Sequence, residues 1–318
     1  MIKLAVLTSG GDASGMNAAI RAVVRSAIYG EMEVYGVHQG FAGLINGEIE
    51  KLSAGSVADI IHRGGTVLQT SRSEGFKTEA GRQQAAGLLK VLGIGHLVVI
   101  GGNGSLRGGY ELSKLGINVI GIPATIDNDV PHTASIGFDT AVNTVLEAIN
   151  RLRDTASSHG RIFVIEVMGR DCGEIALAAG VAGGAESVLI PEIATDLEQV
   201  LDKIKKGTER GKLHSIIIVA EGVYPVIELK DKIQQETGHE TRVSILGHMQ
   251  RGGTPTAVDR ILASCMGKHA VDLIARGERN VLVGGEGNKV FAIPLEQVVN
   301  STRQPEMEMY EIARILSI

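Results

Sequence analysis

Residues 96–105 read HLVVIGGNGS. Leu97 to Ile100 form an unbroken branched apolar run, too short for a buried helix and closed at once by Gly101 and Gly102. Such a run reads as a strand buried on both faces, as in a parallel sheet covered by helices, and its glycine exit reads as a turn toward the next helix. The same pattern recurs in KLAVLTSGG (3–11), EVYGVHQG (33–40), INVIGIP (117–123), RIFVIEVMG (161–169), SVLIPE (187–192), HSIIIVAEG (214–222) and VSILGHMQRGG (243–253). Between runs lie segments of helical period: in 138–153, Ala141, Val145, Ala148, Ile149 and Leu152 make one apolar face. The alternation predicts an α/β protein of two doubly wound, mostly parallel-sheet domains, with ligands beyond the carboxyl ends of the strands.

Composition narrows the function. The chain has 318 residues, 44% of them hydrophobic, enough for a large core and for two domains. Tryptophan is absent and aromatics make up 3%, which leaves little for stacking on single-stranded nucleic acid. A net charge of −5 offers no bulk attraction to nucleic acid or an anionic membrane, so anionic ligands must meet local clusters of arginine. Cys172 and Cys265 are the only cysteines and have no paired spacing, which fits a reducing compartment. No apolar stretch has the length of a membrane span, and the start MIKLAVLTSGG is broken too early for a signal peptide. The expected location is cytoplasmic.

Three glycine-rich turns follow strands: SGGDASG (9–15), GGNGS (101–105) and MGRDCG (168–173). Glycine lets backbone N–H groups approach an anion, and a helix N-terminus adds favourable partial charge. Each turn read alone is more often a tight bend than a phosphate site. Two of them near Arg72, Lys77 and Arg82 favour a polyphosphate. The fingerprints GxxxxGK[ST] and GxGxxG are absent, which counts against a nicotinamide-dependent oxidoreductase. After the run 117–123 comes ATIDND (124–129), where Thr125, Asp127 and Asp129 suit either a capped turn or a loop that orients a phosphate and takes a proton from an alcohol. Arg161, Arg170, Arg242, His248 and Arg251 sit at strand starts or strand ends, and with Glu221 they suit a phosphorylated sugar if they converge.

Read together in order, TSGGDASGMNAAIRAVVR, RGGT, GGNGS, PATIDND, IGFDTA, RDTASSHGR, EVMGRDCG and LGHMQRGGTPTAVDR resemble the bacterial ATP-dependent 6-phosphofructokinase family over essentially the whole chain. The resemblance implies γ-phosphoryl transfer from MgATP to the C1 hydroxyl of fructose 6-phosphate, a step of glycolysis, in an allosteric homotetramer. It implies Asp127 as the general base, flanked by Thr125 and Asp129, with Arg72 and Arg170 as further catalytic residues. It places Gly11, Phe41, Arg72, Ser73, Lys77, Gly102, Asn103, Gly104, Ser105 and Gly108 at ATP, and Asn103 and Asp129 at Mg²⁺. Met168, Gly169, Arg170, Glu221, His248 and Arg251 match contacts to fructose 6-phosphate from the same subunit, and Arg161 and Arg242 match those from a neighbour. An effector site for ADP and phosphoenolpyruvate is implied at Arg21, Arg25, Asp59, Arg153, Glu186, Arg210, Lys212 and His214, although Arg21 and Arg25 without the resemblance read as a solvated helix face. The implied domains are 1–137 with 250–300 for ATP, and 138–249 with 301–318 for sugar phosphate and effector.

Departures from the family pattern are Asn103 for the usual Asp, Ala124 for Gly, Ser14 for Pro, Leu213 for Lys, and a segment after TIDND one residue shorter than in many relatives. They bear on turnover and effector response, and they raise a second reading as a regulatory paralogue that binds without turning over. Pyrophosphate-dependent relatives carry Asp at the position of Gly104 and Lys at that of Ala124. Small neutral residues at both positions favour ATP as donor.

Overall fold

A computed structural model of the chain describes residues 1–287, 289–303 and 307–317. Among them are eleven strands: β1 (Lys3–Ser9), β2 (Glu33–Val37), β3 (Ile49–Lys51), β4 (His96–Gly101), β5 (Asn118–Pro123), β6 (Ile162–Val167), β7 (Ser187–Leu189), β8 (Ser215–Ala220), β9 (Thr241–Ile245), β10 (Val281–Glu286) and β11 (Lys289–Pro294). No helix among the described residues is long and apolar enough to cross a membrane.

The chain divides into two compact units. The first comprises Met1–Thr125, Asp129–Thr140 and the described residues of Arg251–Arg303; the second comprises Ile126–Asn128, Ala141–Gln250 and residues 307–317. Of the expected division, residues 288, 304–306 and 318 lie outside the described residues.

The first unit carries a seven-stranded sheet in the order β11-β10-β5-β4-β1-β2-β3. Its five inner strands are parallel, and the pairs β10–β11 and β2–β3 close its edges antiparallel. The second unit carries four parallel strands in the order β7-β8-β6-β9. The α/β class read from the apolar runs holds, since all eight runs are strands. β3, β10 and β11 were not among those runs: β3 is three residues long, and β10 interrupts its apolar residues with Gly284 and Gly285. Both sit against side chains: a Cβ at Gly284 would lie 2.6 Å from Phe291 Cε2 and one at Gly285 2.7 Å from Met266 Cε.

Burial explains the continuous runs. Leu4 to Leu7, Leu97 to Ile100 and Ile216 to Ala220 are all fully buried, as strands covered on both faces must be. In the first unit helix Met16–Tyr29 packs closely on helix Ala257–Ala275: a Cβ at Gly267 would lie 2.7 Å from Ala22 Cβ and 2.8 Å from the Ala19 carbonyl oxygen. The helix predicted over 138–153 extends over Phe138–His159.

Each sheet has one place where the strand order reverses, and there a crevice opens at the carboxyl ends of the strands. In the first sheet successive strands leave β1 in one direction to β2 and β3, and the chain then returns to β4 on its other side. In the second, β8 and β9 flank β6. The segments emerging at these reversals are residues 9–15 and 101–105 in the first unit, and 168–173 and 246–250 in the second.

Candidate functional site

In the first unit, the ends of strands β1 and β4 leave no room for a side chain at Gly101. A Cβ at Gly101 would lie 2.4 Å from the Ser9 carbonyl oxygen, and one at Gly10 would lie 3.1 Å from Ser105 Oγ. Gly102 is the N-cap of helix Asn103–Ser113, so its first N–H groups face outward at the reversal. A Cβ at Gly104 would meet nothing within 4 Å. At Gly11 it would lie 2.4 Å from Arg251 Nη1, so glycine there admits the Arg251 guanidinium, which also donates to the Asp12 carbonyl at 3.4 Å. Ser14 donates to the Gly253 carbonyl at 2.9 Å, tying the first glycine turn to the RGG segment.

The chain 63–73 lies across that turn. Asn17 donates to the Arg63 and Gly64 carbonyls and accepts from Val67 N, and Thr70 Oγ1 donates to the Gly10 carbonyl at 2.9 Å. This brings Arg72 out as an exposed guanidinium without an ion-pair partner among the described residues. Ser73 caps the short helix Glu74–Lys77, and Lys77 pairs with Glu74 at 2.7 Å. Phe41 is buried, its ring stacked on Phe76 at 4.0 Å between centroids, and Gly108 admits both rings: a Cβ there would lie 2.8 Å from Phe41 and 3.1 Å from Phe76.

Beyond β5 the chain stays ordered by pairing rather than turning freely. Ala124 bridges Ile136 in parallel, Thr125 N donates to the Ile136 carbonyl at 3.0 Å, and Ile136 N donates to the Pro123 carbonyl at 3.0 Å. Thr125 and Asp127 are buried, and Asn128 takes a left-handed φ of 52°. Asn103 Nδ2 donates to Asp129 Oδ2 at 2.9 Å and to the Asp129 carbonyl at 3.2 Å. Two acceptors on one side fix the amide orientation and leave Asn103 Oδ1 turned away. Asp129 Oδ1 is buried without a hydrogen-bond partner among the described residues. Among the described residues, no three His, Cys, Asp or Glu side chains gather as a metal cluster.

In the second unit, Arg170 (φ 55°) donates its N–H to Glu221 Oε1 at 2.9 Å, and Met168 N donates to Gln250 Oε1 at 3.2 Å. Gly169 has φ 152° and no room for a Cβ, which would lie 2.2 Å from the Cys172 carbonyl oxygen. His248 is exposed on the short 3₁₀ turn Gly247–Gln250. Burial, with the Glu221 carboxylate beside it, raises Glu166 above the usual carboxylate range. Asn128 Nδ2 lies 3.5 Å from Glu174 Oε2, a buried carboxylate on the first turn of helix Glu174–Gly183.

Of the five basic residues, Arg251 belongs to the first unit, and within the second Arg161 and Arg242 do not stand beside Arg170. Arg161 and Arg242 stand at the start of β6 and β9, whereas Arg170 and Glu221 stand past the ends of β6 and β8, about 20 Å away at the rise of a strand. Glu240 holds both: it pairs with Arg161 at 2.8 Å and with Arg242, and the hydrogen bond from Arg161 is the leading cause of its lowered pKa. Glu240 and Gln250 escaped the sequence reading because it weighed cations and strand ends, and neither residue carries a motif signal.

The residues assigned by resemblance to an effector fall in both units. Arg21 and Arg25 share helix Met16–Tyr29, and exposed Asp59 lies 3.8 Å from His62. In the second unit Arg153 donates to the Gly183 and Gly184 carbonyls, capping helix Glu174–Gly183. Lys212 pairs with Glu186, which also accepts from Ile216 N; Arg210 is exposed at the end of helix Leu197–Glu209, and His214 is half-buried.

A family model described as phosphofructokinase matches residues 3–274. The chain is 59% identical over 319 residues to a protein of Natranaerobius thermophilus named ATP-dependent 6-phosphofructokinase, and 55% identical to one of the same name from Bacillus subtilis, with both chains fully covered in each case. A solved structure of phosphofructokinase from Saccharomyces cerevisiae superposes with a TM-score of 0.89 at 36% identity over all of this chain, which spans about half the length of that one (48%).

Proposed function

This chain belongs to the phosphofructokinase family, and we propose that it transfers the γ-phosphoryl of ATP to the C1 hydroxyl of fructose 6-phosphate, giving fructose 1,6-bisphosphate and ADP. The observation that carries this reading is the reversal between β1 and β4, where two glycine turns and a helix N-terminus offer backbone N–H groups to phosphate and Gly104 leaves open the space that a third phosphate needs. Asp127, buried just after β5, takes the proton of the C1 hydroxyl as its oxygen attacks, and Arg72 offsets charge on the transferring phosphoryl. Arg170, Glu221, Met168, Gly169 and His248 hold the sugar phosphate, with Arg251 beside the glycine turn.

Mg²⁺ fits Asp129: its Oδ1, without a hydrogen-bond partner among the described residues, would hold the ion together with phosphate and water, and Asn103 Oδ1 would join only once its amide turns from Asp129 Oδ2. When bound it supplies positive charge to the β- and γ-phosphate oxygens. The wider reading is of a cytoplasmic homotetramer in which Arg161 and Arg242 serve a neighbour's sugar phosphate, held ready by Glu240. ADP and phosphoenolpyruvate act at Arg21, Arg25, Asp59, Arg153, Glu186, Arg210, Lys212 and His214.

A second reading, a paralogue that binds without turnover, draws on Asn103 and on Ala124, whose methyl is fully buried. One assay separates the two. ADP release that requires Mg²⁺, ATP and fructose 6-phosphate together, and falls about 10²- to 10⁴-fold in Asp127→Ser with the sugar-phosphate KM held, supports the enzyme. Sugar-phosphate binding without product supports the paralogue.

A further inference from the structure

The motif TPTAVDR places Asp259 in the first turn of helix Ala257–Ala275, where nothing in the reaction above uses it. Its side chain is 1% exposed, and no Lys, Arg or His pairs with it among the described residues. Three donors meet it instead: Gly137 N at 2.8 Å, Thr140 N at 2.8 Å and Thr140 Oγ1 at 2.5 Å. Two of these are backbone N–H groups at the start of helix Phe138–His159, so a helix N-terminus stands where a cation would otherwise be needed. The contact is reciprocal. Thr256 N donates to Thr140 Oγ1 at 3.1 Å, and Thr256 Oγ1 donates to Asp139 Oδ2 at 2.6 Å.

What these bonds hold is the segment 136–137, wedged between two parts of the phosphate-handling machinery. On one side Ile136 pairs with residues 123–125 and accepts the N–H of Thr125 at 3.0 Å. On the other, a Cβ on Gly137 would lie 2.6 Å from Ala13 Cβ, and one on Gly15 would lie 2.6 Å from Ile136 Cγ2 and 3.5 Å from Asp259 Cβ. A shift of segment 136–137 therefore moves Thr125 and the glycine turn 10–15 together.

We propose that Asp259 is a positioning residue: through Gly137 and Thr140 it fixes Thr125 and the first glycine turn relative to each other, so that the donor phosphates and the attacked phosphorus are held in one geometry. The inference rests on the phosphoryl-transfer reading for its consequence, but not for its structural content.

Two variants and two readouts test it. Asp259→Asn keeps an acceptor for Gly137 and turns an amide donor onto Thr140 N–H. Thr140→Val removes only the hydroxyl, and so decides the matter if the first variant does not fold. Backbone amide hydrogen exchange should rise at Thr125 and across 10–15 in the folded variants, and kcat should fall about tenfold or more, with the fructose 6-phosphate KM within about twofold, as small misplacements of reacting groups do. Faster exchange confined to 137–140 and 256–260, or a folded variant with wild-type kcat, overturns the proposal. If the wild-type protein shows no turnover, exchange alone decides it, and the failure belongs to the assigned reaction.

Discussion

Replacing Asn103 by Asp, the residue usual in the family pattern, would set two carboxylates face to face. In this chain the Asn103 amide donates to Asp129 Oδ2 at 2.9 Å. Asn103→Asp removes that hydrogen bond to a charged acceptor, worth about 1.5–3 kcal/mol. At the same 2.9 Å separation it adds a repulsion of about 1.4 kcal/mol in water, or about 6 kcal/mol at an effective dielectric of 20. Position 103 is exposed, so the lower figure applies, and the metal-free cost is about 3–4 kcal/mol before the side chains swing apart. A divalent cation between the two carboxylates reverses that sign. The variant should therefore have a metal-free melting midpoint lower by up to about 10 °C. It should also regain more on adding Mg²⁺ than the wild type does, and reach half-maximal rate at about tenfold lower free Mg²⁺. Thermal unfolding with and without Mg²⁺, and rates across free Mg²⁺ at saturating substrates, measure both. An unchanged metal-free midpoint together with an unchanged Mg²⁺ requirement would refute the pairing as the determinant of metal use.

Gly108→Ala places a methyl 2.8 Å from Phe41 and 3.1 Å from Phe76, so the ring stack must shift at a cost of about 1–3 kcal/mol; the melting midpoint should drop and the ATP KM rise, while the sugar-phosphate KM stays level. Burial raises Glu166 above the usual range, so the folded chain binds that proton more tightly than the unfolded one and loses stability as pH climbs from the usual carboxylate value through the raised one. Glu166→Gln should therefore melt higher than wild type at pH 7 and lose that advantage below about pH 4; a gap of equal size at both pH values would contradict the sign.

What the sequence disclosed follows from how parallel sheets are built. A strand covered on both faces must be apolar throughout, so β1, β4, β5, β6 and β8 are legible one residue at a time. Edge elements answer to weaker constraints. β11 buries only Ile293 and shows no regular alternation, and β3 has no buried residue, so neither announces itself. Glycines were readable as turns, yet several serve packing: Gly11 admits Arg251, Gly108 two aromatic rings, Gly137 the Ala13 methyl. A sequence shows that a side chain is missing at those positions and not what fills its place.

The same asymmetry separates the site residues. Residues that closely follow a strand are brought to its carboxyl end by that strand, so the neighbourhood of Asp127 after β5, Arg170 after β6 and Glu221 after β8 is known as soon as the strands are found, although Ile136 and Glu221 complete the local geometry. Residues that act through another segment depend on sheet order, which local pattern does not encode. Arg161 and Arg242 looked like partners of Arg170 until the parallel register put them at the opposite ends of β6 and β9, and Glu240 became visible only as the carboxylate common to both. Asp259 is the extreme case. It sits 119 residues after Thr140, and only the meeting of two helix starts reveals why a buried carboxylate without a countercharge is tolerated there: the N–H groups of Gly137 and Thr140 and the Thr140 hydroxyl stand in for a cation.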